Sequence, residues 1–321
     1  MYNGVKLIIE NALKIENRQV VLMSYVVEIE DLTKRFGKFE ALSHLNMTLH
    51  EGEIFGFIGP NGAGKSTTIK TLLGMLKPSQ GSVQLFGQDA FKKPVSIHER
   101  IAYVPGDVNL WPNLTGGEVI DFLLSLQKHV DHERKQALIK DFELDVRKKC
   151  GAYSKGNRQK VALVAALSME ADLYIFDEPT SGLDPLMERI FQSHVKACKA
   201  RGKTVLLSSH ILSEVEQLCD RVGIIRKGEL VEVGTLDEMR HLTRMRYTVE
   251  TDETLTQLKA QEGIHDVSEQ QGVYRFQVDA DKTADVLQYL SRFNIKKLES
   301  QPPTLEDLFM RHYGESLKEG E

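Results

Sequence analysis

The chain lacks the features that define several common protein classes. It contains only three cysteines, Cys150, Cys198 and Cys219, which are far apart and form no C-x-x-C pair. An odd number of widely spaced cysteines indicates reduced thiols rather than a disulfide framework or a cysteine metal site. No apolar run approaches the roughly 18–20 residues that a helix needs to span a bilayer. Any role at a membrane therefore requires a partner protein.

An excess of positive charge is also missing. Lysine and arginine total 41 residues against 46 aspartates and glutamates, which gives a net charge of −5. This balance argues against a nucleic-acid-binding protein with a dominant basic face, although it leaves room for a local basic patch. With 41% hydrophobic and 27% charged residues, the composition is that of a globular protein. A chain of 321 residues has room for two domains.

The first 22 residues contain no continuous apolar core, because charged residues such as Lys6 and Glu10 interrupt it. This pattern is not that of a secretory signal peptide. We expect residues 1–22 to form a disordered extension. Met23, just before the first convincing strand, is the expected natural start.

A complete phosphate-binding motif lies near the start of the chain. Residues 59–67 read GPNGAGKST and match G-x-x-x-x-G-K-[ST], with a β-prone stretch before them and a helix-forming stretch after them. An ordinary glycine-rich turn is the alternative, but it would not require the Lys65–Ser66 pair. We expect Lys65 to reach the β- and γ-phosphates of a nucleotide and Ser66 to bind Mg²⁺. The predicted nucleotide-binding residues of this loop are Gly59, Pro60, Asn61, Gly62, Ala63, Gly64, Lys65, Ser66 and Thr67.

A second cluster is expected where two buried strands end. The apolar runs 173–176 and 204–207, separated by a predicted helix at 185–200, are typical of a parallel sheet with βαβ connections. Open α/β sheets bind ligands at the carboxyl ends of such strands. The fold class is therefore predicted as α/β.

Three polar residues follow these two strands. Asp177 is placed to hold Mg²⁺ opposite Ser66, and Glu178 to accept a proton from the water that attacks the γ-phosphate. His210 is placed to hydrogen-bond the γ-phosphate and this water. The alternatives are a pair of acidic residues that opens a turn and a surface or capping histidine. The phosphate loop and the shared sheet favour the catalytic interpretation.

The segment Tyr153–Gln159 reads YSKGNRQ and opens a predicted helix, with Ser154 as its expected N-cap. A helix start with exposed amide groups can bind an anion, but capping alone explains the same residues. The residues by themselves leave these two interpretations open.

Taken in order, GPNGAGKST, YSKGNRQ, LYIFDEPTSGLD and LSSH resemble the ATP-binding cassette, the nucleotide-binding domain of ABC transporters. The likeness covers about Val26–Gly234. YSKGNRQ resembles the family's signature loop through Ser154 and Gly156, whereas Lys155 and Asn157 depart from it. The resemblance implies that this loop contacts the nucleotide held by a second copy.

The resemblance also implies roles for residues outside these loops. Phe36 matches the aromatic residue that stacks on adenine, and His210 matches the switch histidine. Asp184 ends a segment that resembles the D-loop and is expected to contact nucleotide. A turn aromatic packed on the sheet edge is the alternative for Phe36. By this likeness, two copies sandwich two ATP molecules with Mg²⁺ and energise export through a separate membrane-spanning permease. The expected location is the cytoplasmic face of the cell membrane, as a peripheral subunit, and no nucleic acid is expected to bind.

One departure concerns the loop after the predicted strand 101–104. The family carries a glutamine that contacts Mg²⁺ and the attacking water, where this chain has Gly106. We hypothesise that Asp107 partly replaces it through an outer-sphere contact, and a surface-loop acid is the alternative. Trp111, the single tryptophan, lies in the same loop. Both a core ring and a partly exposed ring that contacts a membrane partner remain open.

After about residue 235 the pattern changes. Strand and helix signals over 247–300, with helices expected at 255–260 and 283–293, suggest β-α-β-β-α-β, a small ferredoxin-like domain. This part and the ending PTLEDLF resemble the tail of type-2 ABC exporter ATPases. We predict an ABC ATPase domain at 23–235, with an antiparallel β-subdomain and a helical subdomain at about 107–170. A small α+β domain is predicted at 236–321.

Two other function classes are alternatives. A soluble ABC ATPase in DNA repair or translation would need a second cassette, a long coiled-coil insertion or a basic face. A P-loop small-molecule kinase would need a lid with acceptor-binding arginines. None of these features is evident, so the sequence favours an ATP-hydrolysing transport subunit.

Overall fold

The computed structural model describes most of the chain, in residues 25–127, 131–241 and 244–301 and at Thr304 and Glu306. The predictions for residues 1–22 and for a start at Met23, and most of the PTLEDLF ending, lie outside these residues. Within the described ranges, no helix is both long and apolar enough to cross a bilayer.

In the part of the chain that the structure describes, the strands form three separate sheets, of which the second carries the candidate site. In chain order the strands are β1 (Tyr25–Phe36), β2 (Phe39–His50), β3 (Ile54–Ile58), β4 (Gln80–Leu85), β5 (Gln88–Asp89), β6 (Ile101–Val104), β7 (Leu173–Asp177), β8 (Thr204–Ser209), β9 (Arg221–Arg226), β10 (Glu229–Thr235), β11 (Met245–Thr251), β12 (Ile264–Gln270), β13 (Val273–Val278) and β14 (Ile295–Gln301).

Most of the helices lie, in chain order, between strands of the second sheet. In chain order they are α1 (Lys65–Leu72), α2 (Pro94–His98), α3 (Gly116–Ser125), α4 (His132–Asp141), α5 (Lys155–Leu167), α6 (Pro185–Ala200), α7 (Leu212–Leu218), α8 (Leu236–His241) and α9 (Thr283–Leu290). Short 3₁₀ turns lie at Cys150–Ala152, Leu258–Ala260 and Ala280–Lys282.

The central sheet has the strand order β10-β9-β3-β8-β7-β6, and only β10 pairs antiparallel. Every residue of β3, β7 and β8 is buried, as expected for strands covered by helices on both faces. β7 and β8 each run beyond the predicted ends, to Asp177 and Ser209. The pairing of Asp177 with Ser208 therefore continues the sheet into the candidate site.

The first sheet, β2-β1-β4-β5, is antiparallel. β1 and β2 alternate buried and exposed residues over much of their length, a pattern of strands that cover a core with one face. Their pairing continues to Phe36 opposite Phe39, around the two-residue turn Gly37-Lys38. The tip of this hairpin thus carries two aromatic side chains.

Between β6 and β7 the chain is mainly helical. Thr115 caps α3 through a reciprocal capping box with Glu118. Ser154 is the N-cap of α5, as predicted, and its Oγ accepts from the Asn157 amide at 3.3 Å. α5 begins at Lys155, directly after this N-cap. The YSKGNRQ segment therefore lies at the N-terminus of the helix.

The third sheet is antiparallel, with the order β12-β13-β11-β14, and α9 connects β13 to β14. Tyr247, Val249 and Phe276 lie in its core. This is the expected ferredoxin-like order, but the first predicted helix, at 255–260, is wrong. Only a 3₁₀ turn forms there, because Gln257 adopts a left-handed conformation with φ of 68°, which a right-handed helix cannot contain.

Candidate functional site

The phosphate-binding loop lies between β3 and α1, as the motif predicted. Gly64 has φ of 120°, and a Cβ atom there would lie 2.8 Å from Leu42 Cδ2, so only glycine fits. A cavity of about 330 Å³ opens beside the loop. The residues that line this cavity are Phe39, Ala41, Pro60, Asn61, Gly62, Gly64, Lys65, Ser66, Thr67 and Glu178.

Lys65 connects the loop to the carboxyl end of β7. Its side chain is 6% exposed, and Nζ donates to the Gly59 carbonyl oxygen at 2.5 Å. The same ammonium lies 3.2 Å from Glu178 Oε1. A buried ammonium group requires polar partners, and these two supply them. The predicted phosphate ligand and the predicted base are therefore in direct contact.

Glu178 is held in an uncommon backbone conformation. Its φ is 51°, a region that non-glycine residues seldom adopt, and its amide donates to the Ser208 carbonyl oxygen at 3.0 Å. Oε2 contacts His210 Nδ1 while Oε1 contacts Lys65. The carboxylate thus lies between a lysine and a histidine from two other elements. Strained residues held by their surroundings cluster at functional sites.

Asp177 is 4% exposed and accepts a hydrogen bond from Ser208 Oγ at 2.5 Å. Burial raises the pKa of Tyr103 to about 12, and the nearby Asp177 carboxylate adds to the effect. Together with the exposed hydroxyl of Ser66, this carboxylate offers the hard oxygen donors that Mg²⁺ prefers. Within the described ranges, no group of three or more His, Cys, Asp and Glu side chains could hold a metal. A Mg²⁺ ion here would therefore also need phosphate and water oxygens.

Two phenylalanines lie at the tip of the β1–β2 hairpin. Phe36, the predicted adenine contact, is 47% exposed, and Lys34 Nζ lies 4.9 Å from its ring centroid. Phe39 is 66% exposed and, unlike Phe36, lines the cavity beside the phosphate loop. Sequence reasoning missed Phe39. The signal that would have found it is the second aromatic on the far side of a two-residue turn.

The remaining predicted nucleotide contacts do not line this cavity. Ser154 and Gly156 lie at the start of α5, and Gly156 packs so tightly that an added Cβ would be 2.3 Å from the Gly182 carbonyl oxygen. Asp184 caps α6 by accepting from the amides of Leu186 and Met187, each at 3.0 Å. Capping explains Ser154 and Asp184 within one copy, and their contact with nucleotide stays a prediction.

The glycine that replaces the family glutamine lies next to both candidate carboxylates. A Cβ atom on Gly106 would be 3.2 Å from the Asp177 carbonyl oxygen and 3.6 Å from Glu178 Cβ. Asp107 is exposed and accepts from Asn109 Nδ2 at 3.3 Å. Its outer-sphere contact with Mg²⁺ stays a prediction.

Trp111 is 51% exposed, so of the two interpretations that the sequence left open the structure supports the partly exposed ring. The indole lies edge-on to Phe122, with ring centroids 5.4 Å apart and an interplanar angle of 85°. Phe122 is itself 47% exposed. The two rings therefore form an aromatic pair at the surface, one from the loop after Gly106 and one from α3.

Glu214 on α7 is a second residue that sequence reasoning missed. Its side chain is buried, and Oε2 accepts from Ser209 Oγ at 2.8 Å and lies 3.4 Å from Thr180 Oγ1. Burial raises its pKa to about 7, and Oε1 has no hydrogen-bond partner among the described residues. Glu214 links the residue before His210 to the segment after Glu178. Nothing in its sequence setting distinguishes it from an ordinary helix glutamate.

Comparisons with known proteins agree with these features. The profile of the family described as "ABC transporter" matches residues 42–181. A second profile, "ATP-binding protein DrrA1-3-like, C-terminal domain", matches residues 234–313.

Two curated relatives cover most of the chain. The bacitracin transport ATP-binding protein BcrA of Bacillus licheniformis is 38% identical, over 69% of this chain and 74% of its own. The uncharacterized ABC transporter ATP-binding protein YhaQ of Bacillus subtilis is 32% identical, over 90% of this chain and 99% of its own. Among solved structures, the dimeric post-hydrolysis state of the ATP-binding cassette MJ0796 with ADP and Pi is 25% identical. The two structures align with a TM-score of 0.59, over 65% of this chain and 98% of the MJ0796 chain.

Proposed function

The chain belongs to the family of ABC transporter ATP-binding proteins, and from that premise we propose that it energises export through a separate permease in the cell membrane. It binds and hydrolyses ATP as a transport subunit, as its family does. The single observation that carries the proposal is the contact of Lys65, Glu178 and His210 beside the phosphate loop. A role in DNA repair or translation is not favoured, because the relatives are transporter subunits.

The proposed reaction follows from the contacts of Glu178. In the structure Lys65 is paired with this carboxylate and with a backbone carbonyl. Phosphate oxygens in the cavity would draw the ammonium toward themselves and leave Glu178 facing the attacking water. As the water oxygen bonds to the γ-phosphorus and the bond to the bridging oxygen breaks, the water proton passes to Glu178. His210 holds the carboxylate and the water in line.

Mg²⁺, when bound, would neutralise charge that develops on the phosphates. Ser66 and Asp177 are the residues proposed to hold it. Ser208 fixes one Asp177 oxygen by donating to it, which leaves the other oxygen for an ion or a bound water. In this proposal the Asp177 carboxylate faces the metal and the Glu178 carboxylate faces the attacking water.

The base of ATP is proposed to stack on the two phenylalanines of the hairpin tip. Replacement of Phe39 by alanine should weaken ATP binding about 5- to 150-fold, because base–aromatic stacking contributes about 1–3 kcal/mol. Phe36→Ala should weaken it too, and the two effects measure how the rings share the base. Tripolyphosphate, which has no base, is the control ligand. Equal affinity of parent and Phe39→Ala for ATP by calorimetry would remove Phe39 from the site.

ABC ATP-binding subunits dimerise and work with membrane permeases. We propose that this chain forms a homodimer at the cytoplasmic face of the membrane, peripheral to its permease. A division near residue 235, which the separate profile matches at 42–181 and 234–313 support, would leave the third sheet as an accessory domain.

The exposed aromatic pair is the proposed permease contact. Trp111→Ala should leave nucleotide hydrolysis by the isolated chain unchanged but weaken co-purification with the permease about tenfold or more, as loss of an aromatic anchor does. The test is a detergent pull-down of co-expressed subunits, with thermal melting as a folding control. Tyr25→Ala, which removes another exposed aromatic ring outside the nucleotide cavity, serves as the matched aromatic control. A lower melting temperature with intact permease binding would instead make Trp111 a structural residue.

A further inference from the structure

Lys155 joins two loops that are distant in the sequence. It is the first residue of α5, and its Nζ donates to Ser181 Oγ at 2.7 Å. Ser181 belongs to the loop between β7 and α6, 26 residues further along the chain. The related family carries glycine in place of Lys155, so this contact belongs to the present chain rather than to the family pattern.

The lysine lies over a close contact between the two backbones. Gly156 packs against the Gly182 carbonyl oxygen with no room for a side chain. Gly182 has φ of 86°, and a Cβ atom there would lie 3.4 Å from both Cγ and Cδ of Lys155. The aliphatic stem therefore covers Gly182 while the ammonium holds Ser181. Such a stem buries apolar surface even though its charged end stays in water.

The hydrogen bond from Lys155 Nζ to Ser181 Oγ is the part of this contact that depends on the charged end of the lysine. Its acceptor is a neutral hydroxyl, and the first turn of α5 contains no acidic residue. A cation at a helix N-terminus is electrostatically unfavourable, so the lysine is not at this position to stabilise the helix. The lysine can instead contribute by holding the loop that contains Ser181 in a fixed position.

We propose that Lys155 is a positioning residue, which fastens the loop 181–184 to the start of α5 so that the two loops meet a second copy as one surface. The proposal rests on the ATP-bound homodimer of the proposed function. Ser154, Gly156 and Asp184 are the predicted contacts to nucleotide across that dimer. A fixed relation between them lowers the entropy lost when the two copies close.

The test is a double-mutant cycle in the full chain that carries Glu178→Gln, which holds ATP. Lys155→Met should raise the dissociation constant of the dimer at saturating ATP about tenfold, since each dimer contains two such contacts of roughly threefold each. Ser181→Ala should have a similar effect, and the double variant should add little to either. Lys155→Arg, which keeps the donor, should restore dimerisation. ATP binding to the monomer should not change.

Lys160→Met, a change of the same kind on the same helix, is the matched control. Equal dimerisation of Lys155→Met and Lys160→Met would overturn the proposal, as would fully additive effects of Lys155→Met and Ser181→Ala. Hydrogen exchange at 179–184 in the nucleotide-free chain distinguishes a failure of the homodimer hypothesis from a failure of the proposed contact between Lys155 and Ser181. If Glu178→Gln fails to dimerise but Lys155→Met still speeds this exchange, the proposed homodimer is wrong, whereas the role of Lys155 in holding the two loops together is supported. Unchanged hydrogen exchange in Lys155→Met would show that Lys155 does not hold the two loops together.

Discussion

Glu178→Gln is expected to bind ATP with Mg²⁺ but to hydrolyse it more slowly than the parent by on the order of 100-fold or more. An amide of the same size keeps the shape of the side chain but cannot accept the proton of the attacking water. General base catalysis contributes about 10²–10⁴-fold in enzymes. The loss should therefore appear in kcat, with little change in KM.

The contacts of Glu178 sharpen this expectation. The carboxylate pairs with Lys65 and with His210, so replacing it also removes a negative charge that competes with the phosphates for the lysine. ATP affinity should accordingly hold or rise rather than fall. Slow hydrolysis with retained ATP should also trap the homodimer. Gel filtration with ATP and Mg²⁺ should show a stable dimer for Glu178→Gln only.

Steady-state hydrolysis and ATP binding, measured on the same preparations, test this prediction. Glu133→Gln is the control, because it makes the same chemical change at an exposed position on α4. Hydrolysis within about threefold of the parent would show that Glu178 is not the base. His210 would then be the next residue to examine, since it contacts that carboxylate and an imidazole can act as a general base.

The parts of the site that lie on short continuous segments could be predicted from the sequence. GPNGAGKST predicted its own strand–loop–helix setting, since its glycines and the Lys-Ser pair depend on local backbone geometry. The position of Asp177 and Glu178 followed from a different rule, that parallel strands end at one edge of a sheet. That rule also brings His210 to the same edge, and the structure places it against Glu178.

The residues that the sequence did not reveal depend on contacts between distant segments. Phe39 matters because β1 and β2 pair as far as Phe36 and Phe39, so the short turn between them places a second ring beside the loop cavity. Glu214 matters because its helix packs under the segment that follows Glu178. A local pattern carries no information on either arrangement. The wrong helix at 255–260 has the opposite cause, a single left-handed residue, Gln257, inside an otherwise helical pattern.

The second large effect is expected at Lys65. This side chain is buried, and its ammonium is bound by the Gly59 carbonyl oxygen and by Glu178. A buried cation at the bottom of the phosphate loop has to exchange these partners for phosphate oxygens when nucleotide binds. Charge-assisted hydrogen bonds of this kind contribute about 1.5–3 kcal/mol each.

Lys65→Ala should therefore weaken ATP binding about 10- to 100-fold, which corresponds to about 1.5–3 kcal/mol. Binding of tripolyphosphate should weaken equally, because the lost contact is to phosphate. Phe39→Ala should weaken the binding of ATP but not that of tripolyphosphate. Lys65→Met keeps most of the buried stem and should behave like Lys65→Ala, which excludes a cavity as the cause. Lys70→Ala, on the exposed face of the same helix, is the control. Calorimetry decides the outcome, and an unchanged dissociation constant for tripolyphosphate in Lys65→Met would remove the lysine from the phosphate site.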